Sequence, residues 1–180
     1  AKLAGQQPTK KIELQSTTTA NGPTWPNGCH VCEVELDPKT GAVGVVSYTS
    51  VNDVGRVINP TIVRGQLDGG AVQGIGQALL EQVVYDEETG QLITGSLMDY
   101  ALAHADLMPQ MFSTHMDTSI PCKNNVLGVK GVGELGTIGA TPAVVNAVAD
   151  ALARHGKSPL CSRLQMPLTP FRMWQLMYSA

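Results

Sequence analysis

The sequence predicts an α+β fold with a mixed sheet, one β-hairpin and three helices. Two strand patterns lie close together in the first third of the chain, and three later stretches have helical spacing or helix start signals. These elements do not alternate strictly between strand and helix, unlike those of a doubly wound parallel sheet. A length of 180 residues suits one domain, and an apolar fraction of 43% is enough to bury a core.

The individual elements follow from local patterns. The hairpin is predicted from residues 29–37 and 42–51, which alternate between apolar and polar residues around the turn from Pro38 to Gly41. Thr followed by Pro is a typical helix start, because Thr caps the helix and Pro suits its first position. The other predicted elements are a helix at 61–82, short strands at 83–85 and 111–117, a helix at 143–153 that starts from Thr141-Pro142, and a helix from Thr169-Pro170 to Tyr178.

The flanking sequence and the charge set bounds on location and partners. Residues 1–24 are rich in Gln, Thr, Lys and Gly without periodicity, so we expect a linker or extended arm before a domain at 25–180. A net charge of −3 without a Lys/Arg cluster argues against nucleic acid, and no apolar run is expected to span a bilayer. The chain begins with Ala and has no secretory pattern, so we expect a cytoplasmic location, or a piece of a longer chain.

Four cysteines raise the possibility of a metal or redox site, because Cys29 and Cys32 form a C-x-x-C motif. The surrounding residues alternate as in a strand, where positions i and i+3 point to opposite faces. A strand therefore cannot present both sulfur atoms to one ion. We expect small, half-buried side chains here and no protein-ligated metal.

A loop from Gly128 to Ala140 carries the strongest functional signal. Its five glycines let the backbone approach a ligand closely, and Glu134 is the only acidic residue between Asp117 and Asp150. Such a loop presents backbone N–H donors and a single candidate base to the same ligand. The alternative is a capping or surface glutamate.

A second glycine cluster, at residues 65–76, lies inside the first predicted helix. Each interior glycine costs about 0.5–1 kcal/mol relative to Ala, so a close backbone or ligand contact is expected to compensate. Gln73 is the candidate polar contact, because its amide both donates and accepts. Tight helix packing with a solvated Gln73 explains the pattern equally well.

A dinucleotide-binding domain is the least favoured interpretation of the function of this chain. Residues 131–136 fit G-x-G-x-x-G, and Asp150 follows at a suitable distance. However, Asp150 falls within an apolar helical pattern, and no β-α-β order follows.

Several motifs, in order and at similar spacing, resemble the carboxy-terminal part of the large subunit of the molybdenum hydroxylases. This family includes xanthine dehydrogenase, aldehyde oxidase and aerobic carbon monoxide dehydrogenase. The resemblance covers residues 24–178 and implies one half of a molybdopterin-binding domain. The motifs are Thr-Trp-Pro-Asn-Gly at 24–28, Glu-Val-Glu-Leu-Asp-Pro-Lys-Thr-Gly at 33–41, Asp-Val-Gly-Arg-Val-Ile-Asn-Pro at 53–60, Gly-Gln at 65–66, Gly-Gly-Ala-Val-Gln-Gly-Ile-Gly-Gln-Ala-Leu at 69–79, Asp-Tyr at 99–100 and the loop at 128–140.

The resemblance implies roles for matching positions. Glu134 corresponds to the family's active-site glutamate, the general base of an oxidative hydroxylation in which water supplies the oxygen. Gln73 corresponds to the glutamine that hydrogen-bonds the molybdopterin. Pterin dithiolene sulfurs hold the metal in this family, so no protein ligand is implied. Backbone N–H groups are expected near the cofactor at Lys130, Gly131, Val132 and Gly133.

The resemblance also implies partners. The cofactor is expected as molybdopterin cytosine dinucleotide, with iron–sulfur clusters and FAD on other chains or segments. The substrate is expected to be an aldehyde, a purine, an N-heterocycle or carbon monoxide. The rest of the large subunit is expected to complete the site, so the chain alone is expected to be inactive. The alternative is a non-catalytic assembly module that keeps the family fold.

Overall fold

The computed structural model describes residues 15–19 and 21–178. Most of the expected amino-terminal arm, residues 1–14 and residue 20, lies outside this part. Within the described residues, two short 3-10 helices, Ala105–Leu107 and Ser158–Arg163, connect the larger elements. In chain order these are β1 (Asn27–Leu36), β2 (Val43–Asp53), α1 (Pro60–Leu79), β3 (Met111–Asp117), α2 (Leu135–Arg154) and α3 (Pro170–Tyr178).

The sheet is mixed and has the order β1-β2-β3, which confirms the predicted α+β fold and hairpin. Strand β1 pairs antiparallel with β2, and β2 pairs parallel with β3. Gly41 closes the hairpin with a φ of +75°, and a Cβ there would lie 2.2 Å from the carbonyl oxygen of Pro170. This glycine therefore lets α3 approach the turn. The strand predicted at 83–85 forms only an isolated bridge between Tyr85 and Leu92.

Helices α1 and α2 pack backbone against backbone through small residues. A Cβ on Gly136 would lie 2.4 Å from the carbonyl oxygen of Leu67, and a Cβ on Gly74 would lie 2.7 Å from the Cβ of Ala140 and 2.8 Å from the carbonyl oxygen of Thr137. Across the same seam, Thr137 Oγ1 donates to the Gly70 carbonyl at 2.9 Å. Close helix contact therefore accounts for part of both glycine clusters.

Helix α2 starts earlier than the sequence predicts. The prediction placed its start at Thr141-Pro142, but the helix begins at Leu135 and Pro142 lies inside it. Thr141 does not cap the helix, because its hydroxyl donates to the Gly74 carbonyl of α1 at 3.1 Å. Pro142 lies on an exposed face with Ile138, so water can reach the Ile138 carbonyl that Pro142 leaves without an N–H partner. The glycine loop correspondingly ends at Glu134, and Gly136 and Gly139 are helical.

Helix α2 is the central element of the packing. Its length and composition alone would suffice to cross a membrane, contrary to the expectation from the sequence. Every fourth residue along one side is buried against α1 and β1, so core packing accounts for its apolar composition. The buried residues are Gly136, Ala140, Val144, Val148 and Leu152.

Candidate functional site

A cavity of 540 Å³ lies between the segment that leads into β1 and the first turns of α2. Its wall contains Glu134, Gly131 and Gly133, so the structure brings three of the predicted site residues together. Glycine backbone forms part of the wall, and Trp25 and Ile138 add apolar surface. The lining residues are Thr24, Trp25, Pro26, Asn27, Gly28, His30, Gly131, Gly133, Glu134, Leu135, Ile138 and Gly139.

Glu134 occupies the N-cap position of α2 but does not cap it. Its side chain accepts no backbone hydrogen bond there, and its carboxylate has no hydrogen bond or ion pair within residues 15–19 and 21–178. The structure therefore removes the capping alternative. Glu134 is also exposed within this part of the chain, which agrees with the surface position named as part of the alternative.

The loop before Glu134 offers fewer backbone donors than the sequence predicts. The Lys130 N–H donates to the Val54 carbonyl at 3.1 Å, and the Gly131 N–H donates to Thr24 Oγ1 at 3.1 Å. These two amides are therefore engaged within the protein. The N–H groups of Val132 and Gly133 have no partner in the described part of the chain. They precede the amino terminus of α2, where the helix dipole favours negative charge.

An ion pair anchors this loop to the end of β2. The ammonium of Lys130 bonds the carboxylate of Asp53, and the two side chains are only 10% and 18% exposed. Gly55 follows with a φ of +62°, and a Cβ there would lie 2.5 Å from the Gly128 carbonyl oxygen. The hydrogen bond from Lys130 holds the pKa of Asp53 below its usual value. Sequence analysis did not identify Asp53 as part of the site, because its partner is 77 residues away.

We expect Asp53→Asn to destabilise the loop by about 1–3 kcal/mol near neutral pH, since it leaves a poorly exposed lysine unpaired. A carboxyl group with a lowered folded-state pKa stabilises the fold above its unfolded pKa of about 3.9, and this contribution disappears as pH falls through the folded value. The deficit of the variant should therefore shrink in acid. Denaturant unfolding of both proteins at pH 7 and at pH 3 measures this, and a deficit that stays constant would contradict the ion pair.

Gln73 lies outside the cavity lining, on the adjacent exposed edge of α1. Its Oε1 accepts from Thr137 Oγ1 at 3.4 Å, and Thr137 lies one turn after Glu134 on α2. The carboxamide nitrogen of Gln73 makes no bond to a described residue, and that of Gln66 donates to the Gly133 carbonyl at 3.0 Å. The edge of α1 and the glycine loop are therefore neighbours, with the Gln73 donor available.

His30 borders the cavity and was missed as a site residue by the sequence analysis. Its ring nitrogens bond Tyr48 and Asn52, which are fully buried. The strand alternation that separates Cys29 from Cys32 also places His30 on the inner face. That signal was available in the sequence, but nothing there indicated that α2 packs over it.

Cys29 and Cys32 lie on opposite faces of β1, as the strand alternation predicts, but Cys29 is not half-buried as expected. Cys29 is exposed on the outer face of β1, and Cys32 is half-buried on the inner face, where burial and then the charge of Glu33 raise the pKa of Cys32 to about 11. Asp150 pairs with Arg154 on the surface of α2. No strand follows α2 within the described residues, so the dinucleotide-binding order is wrong.

The fold is that of an α+β domain, and comparisons identify its family. Residues 3–109 match the molybdopterin cofactor-binding domain. The chain is 46% identical over 160 residues to the nicotine 6-hydroxylase large subunit of Paenarthrobacter nicotinovorans, covering 88% of this chain and 19% of that protein. It is 36% identical over 152 residues to the carbon monoxide dehydrogenase large chain of Hydrogenophaga pseudoflava, covering 84% and 18%.

Solved structures agree with these relatives. Quinoline 2-oxidoreductase from Pseudomonas putida 86 superposes with a TM-score of 0.74 at 39% identity, covering 84% of this chain and 18% of that one. The chain thus spans about a fifth of the length of its relatives or less. This chain belongs to the molybdopterin cofactor-binding domain family, as a segment of the large subunit of molybdenum hydroxylases.

Proposed function

We propose that this chain supplies the general base and one wall of the molybdopterin site in a molybdenum-dependent oxidoreductase. The observation that carries the proposal is the position of Glu134. Its carboxylate has no partner in the described part of the chain, and it borders a cavity beside the unpaired amides of Val132 and Gly133. A glutamate with no structural bond in such a place is available for proton transfer.

The hydrogen-bond donors on this wall of the cavity match the polar groups of the cofactor. Molybdopterin carries a phosphate and a polar pterin edge, which hydrogen-bond donors recognise. The amides of Val132 and Gly133, the amino terminus of α2 and the carboxamide of Gln73 are donors of this kind. Close backbone approach is possible because Gly131 and Gly133 line the cavity without a Cβ. These residues would hold the cofactor, and Lys130 would act through its ion pair with Asp53.

The bound cofactor would supply the two-electron oxidation of the substrate carbon. The chain's own contribution is a proton acceptor: a carboxylate oxygen of Glu134 takes the proton from the oxygen nucleophile as that nucleophile attacks. A carboxylate acts well as a base near neutral pH when water is excluded from it. Glu134 is exposed in this part of the chain, so we assign the exclusion of water to the remainder of the large subunit.

The partner assignments follow the relatives. One of these is named as subunit gamma of the 6-hydroxypseudooxynicotine dehydrogenase complex, and others are named as large subunits or large chains. We propose that the protein containing this chain likewise joins other subunits. On the resemblance alone, we propose that these carry iron–sulfur clusters and FAD, which remove the electrons. We propose the cytosine dinucleotide form of the cofactor on the resemblance alone.

For the substrate we favour an N-heterocycle over an aldehyde, a purine or carbon monoxide. Two similar proteins are named for nicotine and for quinoline, both of which contain a pyridine ring, unlike a purine. The cavity wall agrees, because Trp25, Pro26 and Ile138 present apolar surface beside Glu134. Flat aromatic rings pack favourably on such a surface.

A pair of glutamines on α1 allows a matched test of cofactor binding. Gln73 and Gln77 are both exposed, and each accepts a hydrogen bond from a threonine of α2, Thr137 or Thr141. We expect Gln73→Ala to lower the molybdenum content of the purified complex several-fold, because a donor to the cofactor is lost. Gln77→Ala removes an equivalent helix contact and should leave the content unchanged. Metal analysis per mole of complex measures both.

Equal molybdenum contents in wild type and both variants would contradict the role of Gln73. A complex that contains no molybdenum at all, even in the wild type, would contradict the cofactor assignment and support the alternative of an assembly module.

A further inference from the structure

His30 of β1 makes an unusually close contact with the backbone of α2. Its ring packs against Gly139, where a Cβ would lie 2.6 Å from three of the ring atoms. No side chain other than hydrogen fits at this position without displacing the imidazole. Gly139 lies five residues after Glu134, in the second turn of the same helix. The ring therefore contacts the helix close to the candidate base.

The orientation of the His30 ring is fixed from the sheet side. Nδ1 lies 2.5 Å from the hydroxyl of Tyr48, and Nε2 lies 3.3 Å from Oδ1 of Asn52. In the matching tautomer the Tyr48 hydroxyl donates to Nδ1 and the Nε2 hydrogen is donated to Asn52. Burial lowers the pKa of His30, and the bond to Asn52 opposes part of this shift, so the neutral form agrees with the bonding.

The partners of His30 are themselves held in place. Asn52 donates from Nδ2 to Ser50 Oγ at 3.0 Å, and Ser50 donates to Thr114 Oγ1 of β3 at 3.4 Å. Tyr48 of β2 stacks on Phe112 of β3, with ring centroids 5.2 Å apart. The ring is thus connected to all three strands, and its exposed edge borders the cavity. Such a side chain transmits the position of the sheet to the helix.

We propose that His30 is a positioning residue for Glu134, and that its imidazole sets the height of the first two turns of α2 above the sheet. The inference rests on the proposed role of Glu134 as the base. On the opposite side, the same turns are held by α1 through Gly136 and Thr137. Glu134 thus stands at the end of a helix supported from two directions.

The test uses the assembled enzyme, with turnover normalised to molybdenum content. His30→Phe keeps an aromatic ring and loses both hydrogen bonds, and Gly139→Ala forces the native ring to move. A displacement of about 1 Å costs up to about a hundredfold in rate, so we expect a tenfold to hundredfold lower kcat in each variant, with KM changed less than threefold. Val31→Ala, on the exposed outer face of the same strand, is the matched control and should retain wild-type kcat.

Coupling between the two positions distinguishes positioning from simple packing. In a His30→Ala background the ring is absent, so adding Gly139→Ala should cost less than twofold in kcat. Wild-type kcat in His30→Phe and Gly139→Ala, with only the unfolding midpoint lowered, would overturn the proposal. If His30→Phe does not assemble, His30→Gln decides by the same criterion, because it keeps a donor for Asn52.

Parallel measurement of Glu134→Gln separates this inference from the function on which it rests. An inactive Glu134→Gln enzyme together with fully active His30 and Gly139 variants rejects the positioning role alone. An active Glu134→Gln enzyme rejects the assignment of the base, and the positioning role with it.

Discussion

Glu134→Gln in the assembled enzyme is expected to lower kcat by about 10²–10⁴-fold, the range typical of losing a general base. The substitution keeps the size of the side chain and removes its negative charge and its capacity to accept a proton. Because the carboxylate makes no hydrogen bond or ion pair in the described part of the chain, its loss should leave the fold intact. Steady-state turnover, together with molybdenum content and circular dichroism, measures these quantities.

Glu88→Gln is a suitable control, since Glu88 is an exposed residue of the turn at 86–90 and lies outside the cavity lining. It should retain wild-type turnover. Glu134→Gln with full cofactor content and wild-type turnover would show that the base lies elsewhere. A loss of cofactor in the same variant would instead assign Glu134 to binding.

Gly136→Ala is expected to give the largest loss of stability among single-methyl substitutions at the seam of α1 and α2. The added Cβ would lie 2.4 Å from the Leu67 carbonyl oxygen and 2.7 Å from the Ala71 nitrogen. Both are helix backbone atoms, so the helices themselves must separate. Overpacking of this kind costs about 1–3 kcal/mol and occasionally more. We therefore expect a lower thermal midpoint and faster proteolysis of the large subunit.

Gly69→Ala is the matched control within α1. Nothing lies within 4 Å of a Cβ built on Gly69, so the substitution meets no clash in the described part of the chain. Alanine favours a helix interior by up to about 1 kcal/mol over glycine, so the midpoint should stay or rise. Equal midpoints for Gly136→Ala and Gly69→Ala would contradict the tight seam.

The regular elements were largely predictable because their signals are local. The hairpin followed from strand alternation around a Pro and Gly turn, and α3 followed from Thr169-Pro170. The same local rule failed at Thr141-Pro142, where the identical start signal lies inside α2. The difference is tertiary: Thr141 bonds α1, and the exposed face tolerates the carbonyl that Pro142 leaves unpaired.

The glycine clusters show why spacing alone could not assign roles. Glycines in one run meet different surroundings: Gly74 contacts α2, whereas Gly65 has no neighbour within 4 Å. Only the packing of α1 against α2 shows which glycines contact the neighbouring helix and which do not. Glu134 could be singled out as a candidate because it is an isolated acidic group in a glycine-rich loop, and the structure places it in the cavity lining. Its neighbour His30 depends on a contact across more than 100 residues and therefore could not be predicted.

The backbone donors were over-predicted for a related reason. A glycine-rich loop predicts free backbone N–H groups. However, two of the four expected groups, those of Lys130 and Gly131, donate within the protein, to Val54 and Thr24. Those bonds fix the path of the loop and leave Val132 and Gly133 for a ligand. Sequence patterns indicate that a loop can bind, but the internal partners of its amides decide where.

The placement of Glu134 immediately before α2 has a consequence for how such an enzyme can be altered. The helix that follows Glu134 is also the central helix of the hydrophobic core, where its residues Val144, Val148 and Leu152 are fully buried. Changes at the start of that helix would disturb the interior as well as the proposed chemistry of Glu134. Trp25 stands on the opposite rim, outside any helix or strand, and is 73% exposed. Substitutions intended to change the substrate are therefore best made around Trp25, with α2 left unchanged.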